Sequence, residues 1–194
     1  MACNLNLTGI GFSCADLPVG GLSKIYIGER ANVIGTTGAG SSGAVTVDDD
    51  KTSGTYGDVT IGAATGLVTD AGLVELDFNN KDGFSVFTDV KTVAADGTVT
   101  CVPTISVEFP VMQKDTRDAL EQIAVGGAEI VAFIETAAGT HHMVGFEFGL
   151  YASTIDGNSG TVRSEKNRYQ LTLTGEERSL AYDLTDANWA KVIL

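Results

Sequence analysis

The residues best equipped for chemistry in this chain are its two histidines, its aspartate runs and one glycine-rich hexapeptide. His141 and His142 are the only histidines. Neighbours on a strand point to opposite faces, so the pair cannot grip one metal or serve one catalytic centre. No serine or cysteine is placed by the sequence to complete a nucleophilic triad with either. Asp48-Asp49-Asp50 and Asp156-Gly157-Asn158 offer oxygen ligands to a hard cation, but neither has the spacing and terminal acid of a calcium loop. Both read as solvated acidic turns. Gly38-Ala39-Gly40-Ser41-Ser42-Gly43 fits the letters of a dinucleotide fingerprint. That motif must leave a strand and open a helix whose N-terminus holds the pyrophosphate. Here it opens onto Ala44-Val45-Thr46-Val47-Asp48, which has no helical period. Cys3, Cys14 and Cys101 are scattered without zinc spacing and read as buried thiols. The expectation is a non-enzymatic protein with no catalytic, cofactor or metal residues.

The elements that must position any functional surface are mostly strands. The chain has 194 residues, 43% hydrophobic and 19% charged, the balance of one globular domain spanning 1–194. No apolar run reaches the roughly 18 residues of a membrane helix. The first lysine is Lys24, so the opening residues have no basic leader region, and folding in a bacterial-type cytoplasm is expected. Twelve Lys and Arg stand against 25 Asp and Glu, a net charge of −13. Such a field repels nucleic acid, whose binding rests on cations displacing phosphate counterions.

Along the chain, 1–22 reads as an extended N-terminal segment and Lys24–Gly28 as the first strand. Residues 35–66 form a long Gly-rich loop with brief β-like pieces at Ala44–Val47 and Asp58–Ile61. Leu73–Phe78 alternates with Val74, Leu76 and Phe78 on one face, and Phe84–Val93 and Thr98–Phe109 follow as strands. Pro103 predicts an edge, a bulge or a break there. Residues 113–125 carry the one clear helical period, with Met112, Thr116, Ala119, Leu120 and Ile123 on one face, Pro110 before and Gly126-Gly127 after. Glu129–Thr136 is apolar on both faces and predicts a central strand covered on both sides, with the helix as one cover. His142–Leu150, Arg168–Thr174 and Leu180–Leu184 read as further strands, and Thr154–Arg163 as a polar loop. The apolar tail Trp189–Leu194 needs a surface to bury it. The fold class is mainly β, an antiparallel β-sandwich or barrel with one flanking α-helix and long loops. Glu75, Asp77, Glu108 and Glu147 alternate with core residues, which puts them on the face away from the hydrophobic layer. That face is either the wet side of a sheet or the lining of a channel.

The order strand (Val102–Phe109), helix (Gln113–Val125), paired strands (Glu129–Thr136 and His142–Leu150), polar loop and strand (Arg168–Thr174) resembles the phage tail tube fold. The helix Asp115-Thr116-Arg117-Asp118-Ala119-Leu120, the strand-turn-strand around Gly139 and the closing Asn167-Arg168-Tyr169-Gln170-Leu171-Thr172-Leu173-Thr174-Gly175 carry the likeness, over about two thirds of the chain. Gly21-Leu22-Ser23-Lys24-Ile25-Tyr26-Ile27 is similar to the start of small structural proteins of tailed phages. The resemblance implies rings of six subunits whose inner strands join into one β-barrel, stacked into a conduit for DNA and the tape-measure protein. It also implies tail terminator or initiator proteins as partners, no membrane, no cofactor, and a place in the virion tail after assembly in the host cytoplasm. In such a conduit Glu75, Asp77, Glu108 and Glu147 are the expected lumen-facing acids, and DNA passes without specific binding. The alternative is another virion component, a head decoration or tail-completion protein on a similar β scaffold.

Overall fold

The computed structural model describes residues 6–7, 10–11, 20–34, 45–47, 57–62, 66–78, 85–125, 127–160 and 167–193. The expected acidic run Asp48–Asp50, the glycine hexapeptide at 38–43 and most of the N-terminal segment lie outside these. The described strands are β1 (Asn6–Leu7), β2 (Ile10–Gly11), β3 (Leu22–Glu29), β4 (Val45–Val47), β5 (Val59–Ile61), β6 (Val74–Glu75), β7 (Val86–Val93), β8 (Val99–Pro110), β9 (Ile130–Thr136), β10 (His141–Val144), β11 (Leu150–Asn158), β12 (Arg168–Gly175) and β13 (Tyr182–Leu184). The helices are α1 (Arg30–Ile34), α2 (Leu67–Asp70), α3 (Lys114–Val125) and α4 (Asp186–Ile193).

The chain is mainly β. Nine strands form one antiparallel sheet, ordered β13-β10-β9-β11-β12-β8-β7, with β3 on the other side of β9 and β6 beyond it. The sheet turns over where β9 hands on to β11, a junction held by the single pairing of Leu150 with Ile130. It stays open rather than closing into a barrel, and its two halves share one apolar interior. From the first half come Leu22, Ile25, Ile27, Ala132, Ile134 and Val144; from the second, Ile105, Val107, Leu150, Leu171 and Leu173. Each is the inward member of an alternating strand, so period-two patterning builds this layer directly. Helix α3 contributes Leu120 and Ile123 to the same interior, as its apolar stripe predicts.

The first half is apolar on its other face too. Tyr26, Val131, Phe133, Met143 and Leu184 pack there against Val33 of α1, Val45, Val59 and Ile61 of the β4–β5 hairpin, Leu67 of α2, and Trp189 and Val192 of α4. The expectation of a doubly covered β9 holds, but the outer cover is α4 and the hairpin, whereas α3 serves the inner face. The tail finds its surface within the chain. Thr185 begins α4 by accepting the amide of Asn188 at its hydroxyl (3.3 Å) and that of Trp189 at its carbonyl (2.8 Å). Two β-like pieces inside the Gly-rich stretch pair as β4 and β5 in antiparallel register.

Four boundaries differ from the sequence reading. His142–Leu150 is not one strand, because Gly145 (φ 85°) and Gly149 (φ 80°) adopt the left-handed backbone and turn the chain from β10 into β11. A Cβ at Gly145 would stand 2.5 Å from the carbonyl oxygen of Ile130, and one at Gly149 2.6 Å from Cβ of Glu129. The expected loop from Thr154 is strand as far as Asn158, paired to β12 through a bulge between Ala152 and Thr154. Leu73–Phe78 contracts to β6. Leu73 is buried against Gly28 and Val33 while Val74 stays exposed, so Val74 leaves the expected face, whereas Leu76 and Phe78 keep it and pack partly buried against the inner core. Pro103 breaks no strand: β8 runs through it, and the interruption falls in the β12 ladder between Thr104↔Thr174 and Cys101↔Glu177, where an amide donor is missing.

Candidate functional site

The two halves of the sheet differ in what covers them, and this difference locates the functional surface. The first half has apolar layers on both faces. The second half, β11-β12-β8-β7, buries one face and, among the described residues, presents the other. Cross-strand register fixes which residues share that outward face. Thr88, Thr104 and Thr174 form one row and are continued by Tyr151; Val86, Ser106, Thr172 and Thr154 form the next; Glu108, Gln170 and Asp156 a third; Arg168 and Asn158 a fourth. The result is a grid of hydroxyls and amides. Its members bond to one another: Thr104 and Thr174 hydroxyls lie 3.4 Å apart, and Gln170 Nε2 donates to Ser106 Oγ at 2.9 Å.

The third and fourth rows carry the charge. Glu108 is 1% exposed, and the Arg168 guanidinium donates to its Oε2. The amide of Glu108 donates to the equally buried Ser85 hydroxyl at 3.4 Å. A buried carboxylate is tolerable only when paired and hydrogen-bonded. The arginine is the more exposed partner, 25% against 2% for the glutamate side chain, so solvent meets the guanidinium. Asp156 is the openly exposed acid of the grid.

The four acids singled out from the sequence are distributed rather than gathered. Glu75 is exposed on β6, opposite Tyr26 of β3. Burial and the hydrogen bond to Glu75 push the Tyr26 hydroxyl up to about 12. Asp77 is exposed just beyond β6. Glu108 lies on the outward face of the second half but is buried beneath Arg168. Glu147 belongs to no strand. It sits in the β10–β11 corner, where its Oε2 accepts the amide of Arg178 at 3.2 Å.

In return Glu177, 6% exposed, accepts the amides of Glu147 at 2.9 Å and Phe148 at 3.3 Å. Burial raises the Glu177 carboxyl above its ordinary range against the pull of these amides, and the neighbouring Glu147 adds to the rise. Arg30 braces the same corner, donating from Nε to the Phe146 carbonyl at 2.8 Å and from Nη1 to Glu129 at 2.9 Å. This carboxylate exchange fixes the joint between the two halves of the sheet. The sequence reading missed Glu177 because it lies in no alternating segment. It missed the grid because Thr104, Ser106, Thr172 and Thr174 are the polar half of alternations whose apolar half drew attention.

The histidines do point apart. His141 stacks on Trp189 at 4.6 Å on the α4 side, whereas His142 meets Phe87 on the inner side. His142 has the bonding order of a triad, with Nδ1 2.7 Å from Asp183 Oδ1 and Nε2 3.1 Å from Thr140 Oγ1. Acyl transfer also needs amide donors aimed at a developing oxyanion. Two amides of the adjoining turn are engaged, Gly139 with the Thr136 carbonyl and Thr140 with the Thr136 hydroxyl. Asp183 is 86% exposed, far from the buried orienting carboxylate that such chemistry uses. The arrangement ties the β9–β10 turn to β13.

No family model, curated protein or solved structure matches the chain.

Proposed function

We propose that the chain is the structural subunit of a phage tail tube, assembling into stacked hexameric rings that conduct DNA and the tape-measure protein. One observation carries the reading: half of the sheet is shielded on both faces, while the other half presents, among the described residues, a mostly polar face of four strands. A shielded half suits the outside of an assembly, and an uncovered one suits a wall. Six such sheets placed edge to edge make 24 strands, which at about 4.8 Å per strand give a circumference near ~115 Å and a diameter of about 37 Å before strand tilt widens it. Inward side chains narrow that passage, yet it still exceeds the roughly 10–12 Å of an α-helix several-fold in cross-section.

The chemistry of the face fits passage without capture. Retaining DNA requires clustered cations, and the grid holds Arg168 already committed to Glu108. Thr104 and Thr174 bond to each other and Ser106 to Gln170, so part of the face's hydrogen-bonding capacity is spent within it. The wall in this reading is a surface of hydroxyls, amides and the valines Val86 and Val90, of little net charge, and the protein's −13 is carried mainly elsewhere. Lumen acidity is then a matter of Asp156 rather than of Glu75, Asp77, Glu108 and Glu147 acting together.

Electron microscopy of the purified protein, dilute and concentrated, tests the proposal. Hollow tubes or six-fold rings are expected. A protein that stays monomeric at every concentration, or that decorates capsids without forming tubes, overturns it in favour of a different virion role.

A further inference from the structure

Lysine and arginine are scarce in a chain of net charge −13, and most of the described ones are already paired. Lys24, Arg30, Lys114, Arg117 and Arg168 meet carboxylates, and Lys191 donates to the Ile61 carbonyl. Lys91 of β7 has no hydrogen-bond or ion-pair partner among the described residues. Arg178 is held loosely, its side chain 77% exposed, with Nε 3.7 Å from Glu147 Oε2 and the guanidinium over the Phe148 ring. These two cations line one cleft of about 450 Å³, a volume inside the range of about 300–1,000 Å³ that small-molecule sites occupy. The fold makes the cleft. Lys91 follows Phe87 and Asp89 on the inward side of β7, opposite Cys101, while the β8–β12 ladder stops at Thr104↔Thr174 and the interior opens at this end. The chain after β12 crosses the opening and is tied to β7 by the Ala181 amide, which donates to Asp89 Oδ2 at 2.6 Å.

We infer that this cleft binds a small organic monoanion, a carboxylate held between Lys91 and Arg178 with its apolar body on Val99 and Leu180. Both apolar side chains are exposed on the cleft wall, and covering them removes apolar surface from water. The acids of the cleft limit the charge of the ligand. Asp183 is committed to His142 Nδ1 at 2.7 Å, and Asp89 holds the Ala181 amide. Asp58 has no partner among the described residues. Two available cations against one uncommitted acid leave room for one negative charge and not for several. The field of the whole chain pushes the same way, because repulsion grows with the charge of the ligand and falls hardest on a polyphosphate. Ser179 donates to the Tyr182 hydroxyl at 2.7 Å, so that donor is spent inside the cleft and the head group is left to the cations. The site lies on the inward side of β7, away from the hydroxyl grid, and goes beyond the tube reading without depending on it.

Saturation-transfer NMR on 4-phenylbutyrate with the full chain tests this, since it reads the ligand whether the protein is free or assembled. Saturable binding is expected, with a dissociation constant of about 1 mM or tighter. Acetate, which lacks the body, 4-phenylbutylamine, which reverses the charge, and adenosine triphosphate, which multiplies it, should each bind at least about tenfold more weakly. Lys91→Gln, and independently Arg178→Gln, should weaken 4-phenylbutyrate by about tenfold, the loss of one charged hydrogen bond, whereas Lys91→Arg retains it; circular dichroism checks that each variant is folded. Equal binding of the amine reduces the cleft to an apolar surface and overturns the inference. So does unchanged binding in both glutamine variants, or no saturation by 4-phenylbutyrate. Tighter binding of the triphosphate overturns the monoanion assignment. Tubes under the microscope without 4-phenylbutyrate binding remove the site and leave the tube reading standing, and Lys91-dependent binding by a chain that never forms tubes does the reverse.

Discussion

Glu108 and Glu177 are both buried carboxylates, and their partners give them different consequences. Glu108 is held by a guanidinium, so removing the acid strands a partly buried cation. Glu108→Ala is expected to cost about 3–5 kcal/mol of unfolding free energy, while Glu108→Leu with Arg168→Met recovers most of it; urea midpoints of the singles and the double give the comparison. Glu108→Lys sets two cations together and is expected to destabilise further than Glu108→Ala in the same urea comparison. Glu177 is held by amides, and its carboxyl binds a proton more tightly folded than unfolded. Stability from this group is therefore present below the unfolded value of about 4.3 and lost as pH rises through the folded value. Relative to Glu177→Gln, the wild type should gain stability as pH falls from neutrality towards that range. A flat difference between the two unfolding curves across pH would show that Glu177 does not titrate in this window. Sequence alone reveals neither role, because an acid alternating with apolar residues looks the same whether it is wet or paired across 60 residues to Arg168.

At the scale of elements, legibility followed periodicity. The expected helix 113–125 and the observed α3 differ by one residue, and β9, β12 and the β4–β5 pieces were readable because each alternation or apolar run is long relative to its boundaries. Helix α4 was not, since eight residues supply barely two turns of period and its anchor, the outer face of β9 and β10, is a tertiary partner. Trp189 stacks on His141 and meets Tyr26 edge-on at 5.7 Å. Trp189→Ala should cost about 3–5 kcal/mol and raise amide exchange in β5, whose edge α4 caps; unchanged exchange there would show that the hairpin holds without the helix. The β10–β11 corner was missed because two positive-φ glycines interrupt an apolar run that reads as one strand. Gly149→Ala combines a left-handed backbone with a close approach to Glu129, and a loss of about 1–3 kcal/mol is expected from the backbone alone. A neutral result in thermal unfolding would mean the corner can be rebuilt.

For the whole molecule, the sequence shows class and sign of charge, but not where the charge sits. A net of −13 on each copy means that association works against repulsion among all subunits, even where sheets placed edge to edge meet through amides and carbonyls. Backbone pairing changes little with salt, whereas repulsion between surface charges is screened over about 30 Å at 0.01 M salt and about 8 Å at 0.15 M. Assembly should therefore become easier as salt rises, with the concentration needed for rings falling by about tenfold for each 1.4 kcal/mol of repulsion removed per added subunit. Light scattering against protein concentration at several ionic strengths measures that threshold. An interface of ion pairs predicts the opposite slope, because screening then weakens the joint, and a rising threshold would place the contact on charged surfaces such as α3 with Lys114, Arg117 and Asp118 instead of the strand edges. The direction of the slope thus decides between edge pairing and charge pairing even before the tube itself is seen.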